Sequence, residues 1–192
     1  FDNNMSEEKL VIDVIDNALQ AKVTEMRKSG LNIMMSMKDE AKPVSFIEDC
    51  AVELKDLAEY TDGLNQIFDK YDTKGTWYAH ASVGCLHVRP VLNMKLQMDV
   101  SKMRNIADET SKLVKKFKGS YSGEHGDGIA RSEFNEVMFG KKMINIFETI
   151  KQAFDPDNIF NPGKIINAPK MDARDYFRYA PSYNAKNINT IL

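Results

Sequence analysis

The sequence is poor in cysteine, in long apolar runs and in excess charge of either sign. Its 192 residues include two cysteines, Cys50 and Cys85, and no Cys-x-x-Cys motif. A disulfide framework is therefore not expected, and the pattern indicates a reducing, intracellular setting. No run of about 18 apolar residues is present, so the sequence predicts no transmembrane segment. The 26 basic and 28 acidic residues form no excess of charge for binding nucleic acid or an anionic membrane.

Histidine is also scarce, and its placement is informative. The three histidines lie in two short segments. His80 and His87 flank a stretch that contains Gly84, and His125 follows Glu124 inside the glycine-rich segment 122–128. Glycine allows backbone turns that are closed to other residues. This grouping predicts one polar site, either a metal site or a site of proton transfer.

The hydrophobic pattern predicts an α+β fold. Apolar residues make up 43% of the chain, which suits a globular protein with a proper core. Helical spacing predicts helices over residues 6–29, 54–71, 99–117 and 141–154, with Ser6 as a cap and Gly30 after the first helix. Strands are predicted over residues 31–37, 44–50, 76–80, 85–92 and 119–122. Because this order lacks regular βαβ alternation, we expect an antiparallel sheet covered by helices.

His80 and His87 can bind one ion only if the chain folds back between them. On one continuous strand they would point to opposite faces, more than about 20 Å apart, and on a helix they would lie about 10 Å apart. Neither arrangement places both rings about 2.1 Å from an ion. The small residues 81–84, with Gly84, predict a hairpin or tight loop at this point. The spacing by itself is also compatible with two unrelated histidines that share no ion.

Glu124 and His125 add weight to a metal site. Glu124 would complete a set of two histidines and one carboxylate, which suits Zn, Mn or Fe in an open catalytic site. Adjacent residues of an extended segment point to opposite sides, so we assign Glu124 to the metal and His125 to the substrate as a base. The alternative is a capped turn in which Glu124 pairs with an Arg or Lys.

An anionic substrate needs fixed positive charge near this site. Arg offers a planar fork to a carboxylate, and Lys offers a point charge. Arg89 would face the same side of a strand as His87, whereas composition alone favours solvated surface charges for Arg27 and Lys42. Asn161, in an Asn-Pro-Gly-Lys turn, could meet a phosphate or a cofactor ring, or only shape the exit of the chain.

Four motifs occur in a specific order: Tyr-Ala-His to Leu-His-Val at 78–88, Ser-Gly-Glu-His-Gly at 122–126, Phe-Asp-Pro-Asp-Asn at 154–158 and Asn-Pro-Gly-Lys at 161–164. Together they resemble the C-terminal half of the FAD-linked oxidases, a family that includes D-lactate, glycolate and D-2-hydroxyglutarate dehydrogenases. The resemblance covers about residues 8–167. Segments 42–49 and 87–90 resemble the large bacterial D-2-hydroxyacid dehydrogenases, in which an iron–sulfur domain follows the flavin part.

The resemblance implies a domain organisation. Residues 1–167 would form the ferredoxin-like substrate or cap domain, and residues 168–192 would be a linker toward a missing iron–sulfur module. Both ends of the chain are interpreted as cut. FAD would be bound mostly by the protein's own N-terminal FAD-binding domain, so we expect the isolated chain to be inactive. An iron–sulfur cluster would belong to the full-length protein only.

The resemblance also implies residue roles. His80, His87 and Glu124 match the family's divalent-metal ligands, and His125 matches its catalytic base. Two further residues, Arg27 and Lys42, match those that bind the substrate carboxylate, and Asn161 falls where the family's tail approaches the flavin. The chain departs from the family pattern at residues 81–85, which replace a Gly-Asp-Gly-Asn loop, and at Arg89, which replaces an asparagine.

These observations support one main hypothesis and two rivals. The main hypothesis is a flavin-dependent oxidoreductase domain that oxidises a small D-2-hydroxy acid to a 2-oxo acid, with hydride passing to FAD. It would act in the cytoplasm or peripherally on the inner face of the membrane. The first rival is a non-catalytic module that binds a metal or an anion. The second is a structural interaction domain in which each histidine is satisfied locally.

Overall fold

A computed structural model describes residues 13–179 and Tyr183, in two units that divide between Lys38 and Asp39. The first unit contains helix α1 (Asn17–Met35). The second contains strands β1 (Lys42–Pro43), β2 (Asp49–Ala51), β3 (Gly75–His80) and β4 (Cys85–Leu92) and helices α2 (Leu57–Lys70), α3 (Gln97–Lys116), α4 (Gly128–Arg131), α5 (Asn135–Phe139) and α6 (Lys141–Phe154). Within the described residues, none of these helices is long and apolar enough to span a bilayer.

Helix α1 is longer at its C-terminal end than the sequence predicts. It begins after Asp16, whose carboxylate accepts a hydrogen bond from the backbone N–H of Leu19 at 2.7 Å. It then continues through Gly30 to Met35, so the predicted strand 31–37 is wrong. Leucine and methionine are good helix formers, and this apolar run extends the helix. The predicted cap Ser6 lies outside the described residues.

The sheet is antiparallel and centred on β4, which pairs with the other three strands. Strands β3 and β4 form the predicted hairpin, with Tyr78 opposite His87 and a short 3₁₀ turn between the strands. Strands β1 and β2 replace the predicted strand 44–50. Pro43 and Asp49 are six residues apart, whereas their partners on β4, Val91 and His87, are four residues apart. The intervening segment therefore bulges out of the ladder, a feature that redirects side chains.

Helices α2 and α3 pack together, and α3 also packs against β4. Helix α2 turns one apolar stripe inward through Tyr60, Leu64, Ile67 and Phe68, which recur at helical spacing. These side chains form one buried core with Phe46 and Ile47 of the bulge, Val88 and Leu92 of β4, and the α3 residues Val100, Ile106 and Val114. The predicted α+β class, an antiparallel sheet covered by helices, is confirmed.

The segment after residue 167 begins against this unit. Met171 lies in the core, and its backbone N–H donates a hydrogen bond to Glu133 at 2.7 Å. Arg104 contacts both Glu133 and Asp172. The proposed division between a domain ending at residue 167 and a linker over 168–192 stays a prediction.

Gly84→Ala should cost much more stability than Gly126→Ala, although both glycines have positive φ, of 70° and 79°. An added Cβ at Gly84 would lie 1.9 Å from the carbonyl oxygen of Val52, whereas one at Gly126 would meet nothing within 4 Å. We expect backbone strain alone to cost about 1–2 kcal/mol at Gly126 and strain plus overlap to cost about 3 kcal/mol or more at Gly84. Urea denaturation measures both values, and equal losses would contradict the close approach.

Candidate functional site

The β3–β4 hairpin brings His80 and His87 together. His80 ends β3 and His87 lies on β4, and their ring centroids are 5.0 Å apart. Glu124, from the distant glycine-rich segment, lies against both rings: its Oε1 is 2.9 Å from Nε2 of His87 and 3.5 Å from Nε2 of His80. The structure therefore gathers these three predicted side chains in one place.

His87 forms the buried wall of the cluster. It is 4% exposed, and its ring stacks on Tyr78 with centroids 4.8 Å apart. Burial lowers the pKa of His87, and the neighbouring carboxylates of Glu48 and Glu124 only partly oppose this, so the ring is neutral near pH 7. Neither ring nitrogen has a hydrogen-bond partner. The Nε2 contact with Glu124 is thus close but not aligned as a hydrogen bond.

Asp49 fixes the backbone that carries Glu124 and His125. This carboxylate is fully buried, and its Oδ2 accepts hydrogen bonds from the Ser122 hydroxyl at 2.9 Å and from the N–H groups of Glu124 and His125 at 3.0 and 2.7 Å. Its Oδ1 accepts one from the buried Arg131. Burial raises the pKa of Asp49, but these hydrogen bonds and the Arg131 charge lower it by more, so the net pKa lies below its usual value.

His125 lies between two carboxylates. Its Nε2 is 3.4 Å from Glu124 Oε1, and its Nδ1 is 2.6 Å from Glu48 Oε1. The other oxygen of Glu48 accepts hydrogen-bond contacts from Arg89, at 2.9 Å from Nε and 2.6 Å from Nη2. The His125 and His87 rings stack with centroids 5.2 Å apart. His125 thus joins the histidine cluster to the Glu48–Arg89 ion pair.

The cluster fits a divalent metal ion. Two atoms each about 2.1 Å from one ion lie about 3.0 Å apart at a right angle and about 3.4 Å apart at a tetrahedral angle. The contacts of Glu124 Oε1, at 2.9 and 3.5 Å, match these separations. The unpartnered Nε2 of buried His87 is also what a ligand nitrogen without its ion would show. His80 and Glu124 are about 40% exposed, so the group is open on one side.

A second group of possible metal ligands overlaps the first. In the described part of the chain, donor atoms of Glu48, His87 and His125 also lie within 4.8 Å of one another. The two groups share His87. The geometry alone therefore allows an ion on either side of this ring. The side that the ion takes decides whether His125 is a metal ligand or a base.

A cavity of about 450 Å³ opens beside His125. Its wall includes the aromatic rings of Phe147 and Phe160 and the polar groups of Asn161 and Lys164. Aromatic faces combined with a few polar donors suit a flat ligand with polar edges. Asn161 has a φ of 46°, which turns the chain at the cavity wall.

The predicted anion-binding residues do not form one group: they are spread over both units of the chain. Arg27 lies on α1, in the first unit. Lys42 pairs with Leu92 at the far end of β4, five residues or about 17 Å along the strand from His87. Arg89 lies near the cluster, but its charge is compensated by Glu48. Asn161 shares its cavity with His125. The substrate and cofactor roles of these four residues stay predictions.

Glu48 and Asp49 are site residues that the sequence analysis did not identify. Both are buried, and they interrupt an otherwise apolar segment between Phe46 and Val52. Two adjacent acids in such a segment were the available signal, because Asp and Glu are almost never fully buried unless they are paired.

The two cysteines provide no reactive thiol to the site. Burial raises the pKa of Cys50 to about 12 and that of Cys85 to about 11. Because the thiolate is the nucleophile and the metal ligand, both groups are inert near neutral pH.

Comparison with known proteins identifies the family. Residues 4–165 match the model of the C-terminal domain of FAD-linked oxidases. The chain is 36% identical over 144 residues to a D-2-hydroxyglutarate dehydrogenase of Pantoea ananatis and 34% identical over 154 residues to that of Haemophilus influenzae. These matches cover 75% and 80% of the chain but only 14% and 15% of the relatives.

A more distant relative agrees with this result. The glycolate oxidase subunit GlcD of Bacillus subtilis is 29% identical over 143 residues, which are 74% of the chain and 30% of that subunit. The family match extends from the first unit through the hairpin, the glycine-rich segment and the Asn161 turn. The chain belongs to the FAD-linked oxidases, with the α+β fold of their C-terminal domain.

Proposed function

We propose that this chain is the substrate-binding part of a flavin-dependent oxidoreductase that oxidises a D-2-hydroxy acid to a 2-oxo acid. The observation that carries the proposal is the convergence of three histidines and Glu124 beside an open cavity. The relatives named as D-2-hydroxyglutarate dehydrogenases make a hydroxy acid the substrate class to test first.

His80, His87 and Glu124 would hold a divalent metal ion, with Zn, Mn or Fe as candidates for this donor set. When bound, the ion supplies Lewis acidity that lowers the pKa of a substrate hydroxyl. Burial keeps His87 neutral and therefore able to donate its lone pair. The exposed faces of His80 and Glu124 leave space for the substrate.

His125 would take the proton from the substrate hydroxyl. Its ring is 43% exposed and lines the cavity, and its Nε2 lies on the side of Glu124. Histidine is the side chain that most often serves as a general base in enzymes. As the hydroxyl oxygen loses this proton, the C2–O bond would become a carbonyl and the hydrogen on C2 would leave as hydride.

Positive charge would hold the substrate carboxylate. The resemblance assigns this task to Arg27 and Lys42, and Arg89 is a basic residue of β4 that lies near the histidine cluster. Because Arg89 is already paired with Glu48, its contribution to substrate binding would be smaller than that of an uncompensated arginine. A dicarboxylate substrate would need two such sites, a monocarboxylate only one.

The flavin would be bound mostly by another domain of the full-length protein. FAD, when bound, supplies the acceptor for the hydride. In this chain, the cavity wall of Phe160, Asn161 and Lys164 suits the edge of a flavin ring. Nearby, Phe154 and Ile159 are largely exposed, as expected of a surface that another domain covers. With two cysteines, this chain cannot supply the four ligands of an iron–sulfur cluster, which would lie elsewhere in the protein.

The test is a substrate screen on the full-length, flavin-loaded protein with an artificial electron acceptor. The panel contains D- and L-lactate, glycolate, and D- and L-2-hydroxyglutarate. We expect reduction of the acceptor with a D-2-hydroxy acid and little with its L enantiomer. Removal of the metal by a chelator should abolish turnover, and addition of Zn²⁺ or Mn²⁺ should restore it.

Two outcomes would contradict the proposal. Stoichiometric metal binding without turnover of any hydroxy acid would favour a non-catalytic metal or anion module. Full turnover by metal-free protein would remove the metal from the reaction. If the activity is confirmed, fractionation of the cells would decide between the cytoplasm and the inner face of the membrane.

A further inference from the structure

We propose that Glu48 is the positioning residue for His125, holding the Nδ1 side of the ring so that Nε2 is the atom that accepts the substrate proton. This inference rests on the proposed function, in which His125 is the base, and extends it to a residue pair that neither the sequence motifs nor the relatives' names identify. It also gives Arg89 a role that acts through Glu48.

The first argument is the geometry of the imidazole. Nδ1 of His125 lies 2.6 Å from Glu48 Oε1, closer than the contacts of this ring with Asp49 and Glu124 at 4.0 and 3.4 Å, so the negative charge of Glu48 favours a proton on Nδ1. A proton on Nδ1 leaves Nε2 of a neutral ring with its lone pair. A base that is oriented by a third group in this way is a recurrent arrangement in enzymes.

The second argument is that Glu48 is itself immobile. Its side chain is 8% exposed, and Arg89 holds the second carboxylate oxygen through Nε and Nη2. The Glu48 carbonyl oxygen accepts a hydrogen bond from the N–H of Val88 on β4 at 3.1 Å. The carboxylate is therefore fixed from the backbone and from the side chain, which is what an orienting group requires.

The third argument concerns the competing role of Glu48 as a metal ligand with His87 and His125. The Glu48 carboxylate already receives a guanidinium charge on one oxygen and an imidazole on the other. A metal on that side would have to displace His125 Nδ1 from Oε1. Glu124, by contrast, is partly exposed, and the side chains that contact it in the described structure are imidazoles, with no guanidinium charge among them. The metal therefore favours the Glu124 side, and Glu48 keeps its contact with the base.

The experiment is Glu48→Gln in the full-length, flavin-loaded protein. The substitution keeps the shape of the side chain and removes its charge. We expect kcat to fall about 100-fold, since a general base contributes about 10²–10⁴-fold, with KM and the metal content per chain nearly unchanged. In the double variant Glu48→Gln/His125→Ala, kcat should equal that of His125→Ala alone, because the two residues act as one unit.

Glu53→Gln is the matched control. Glu53 lies on the same segment, but its exposed side chain pairs with Lys55. This acid-to-amide change should leave kcat, KM and metal content as in the wild type.

A second measurement does not depend on turnover. Carbethoxylation of His125 by diethyl pyrocarbonate, followed by mass spectrometry of its peptide, reports the nucleophilicity of the ring. It should be slower in Glu48→Gln than in the wild type, because the ring loses the carboxylate that keeps the proton on Nδ1. If the wild type oxidises no hydroxy acid but this slowing is observed, the proposed function fails while the Glu48–His125 pair stands.

Three results would overturn the inference. Loss of bound metal in Glu48→Gln would make Glu48 a ligand. An unchanged kcat and carbethoxylation rate would reduce the Glu48–Arg89 pair to a structural contact. Additive losses of kcat in the double variant would show that Glu48 acts through a group other than His125.

Discussion

His125→Ala is expected to lower kcat by about 10²–10⁴-fold, the usual contribution of a general base, and to leave the bound metal in place. The reason is the division of labour between neighbours: Glu124 forms one group of possible metal ligands with His80 and His87, whereas His125 falls outside that group and lines the cavity. Steady-state kinetics of the full-length protein and elemental analysis of the purified variant measure the two quantities.

His80→Ala is the matched control, because it removes another partly exposed imidazole from the same cluster. Here we expect loss of both metal and turnover, since His80 is one of the three proposed ligands. If His125→Ala also loses the metal while His80→Ala keeps it, the ion lies on the Glu48 side of His87. The roles of Glu124 and His125 would then be reversed.

The paired histidines show what sequence spacing can predict. Their separation along the sequence excluded that both rings reach one ion from a single continuous strand or helix. Gly84 was the residue that allowed the chain to bend between them. The structure has this hairpin, with Gly84 at a φ of 70° and a carbonyl oxygen so close that a side chain would not fit. Likewise, the helix over 141–154 has the predicted bounds, because an apolar period ends there at Asp155-Pro156.

The errors arise where local pattern and tertiary context disagree. The apolar run after Gly30 was predicted as a strand, but its leucine and methionines favour a helix, and α1 continues through it to Met35. The segment 44–48 alternates well enough for a strand, yet its two extra residues relative to β4 force a bulge. Register of this kind depends on the partner strand, which spacing along one segment does not reveal.

Glu48 and Asp49 were missed for a related reason. They are two of 28 acidic residues, and their partners His125 and Arg131 are distant in sequence. Only the bulge next to β2 brings them to the glycine-rich segment, where Glu48 meets a side chain and Asp49 meets the backbone. Motifs locate the atoms that do chemistry, whereas the residues that hold those atoms are distributed by the fold.

Asp49→Asn is expected to cost about 3–5 kcal/mol in the free energy of unfolding, because removing one member of a buried ion pair leaves the other charge uncompensated. Asp49 is fully buried and Arg131 nearly so. The amide keeps the size of the carboxylate but cannot satisfy Arg131 and the three donors of the glycine-rich segment together. Chemical denaturation measures the loss. The variant Asp49→Asn/Arg131→Met should recover part of it, and only part, because Arg131 also donates to the carbonyl oxygen of Gly126.

The pH dependence of the free energy of unfolding distinguishes the contribution of the Asp49 charge from that of the side chain's shape. The pKa of Asp49 is lowered in the folded state, so its ionised form stabilises the fold above the unfolded-state pKa of about 3.9. That stabilisation is lost as the pH falls through the lower folded-state pKa. The difference in unfolding free energy between wild type and Asp49→Asn should therefore be constant from about pH 5 to 8 and should shrink below about pH 4. A difference that persists at the lowest pH would assign the loss to the geometry of the amide, and the buried Asp49 charge would not be what holds Glu124 and His125 in place.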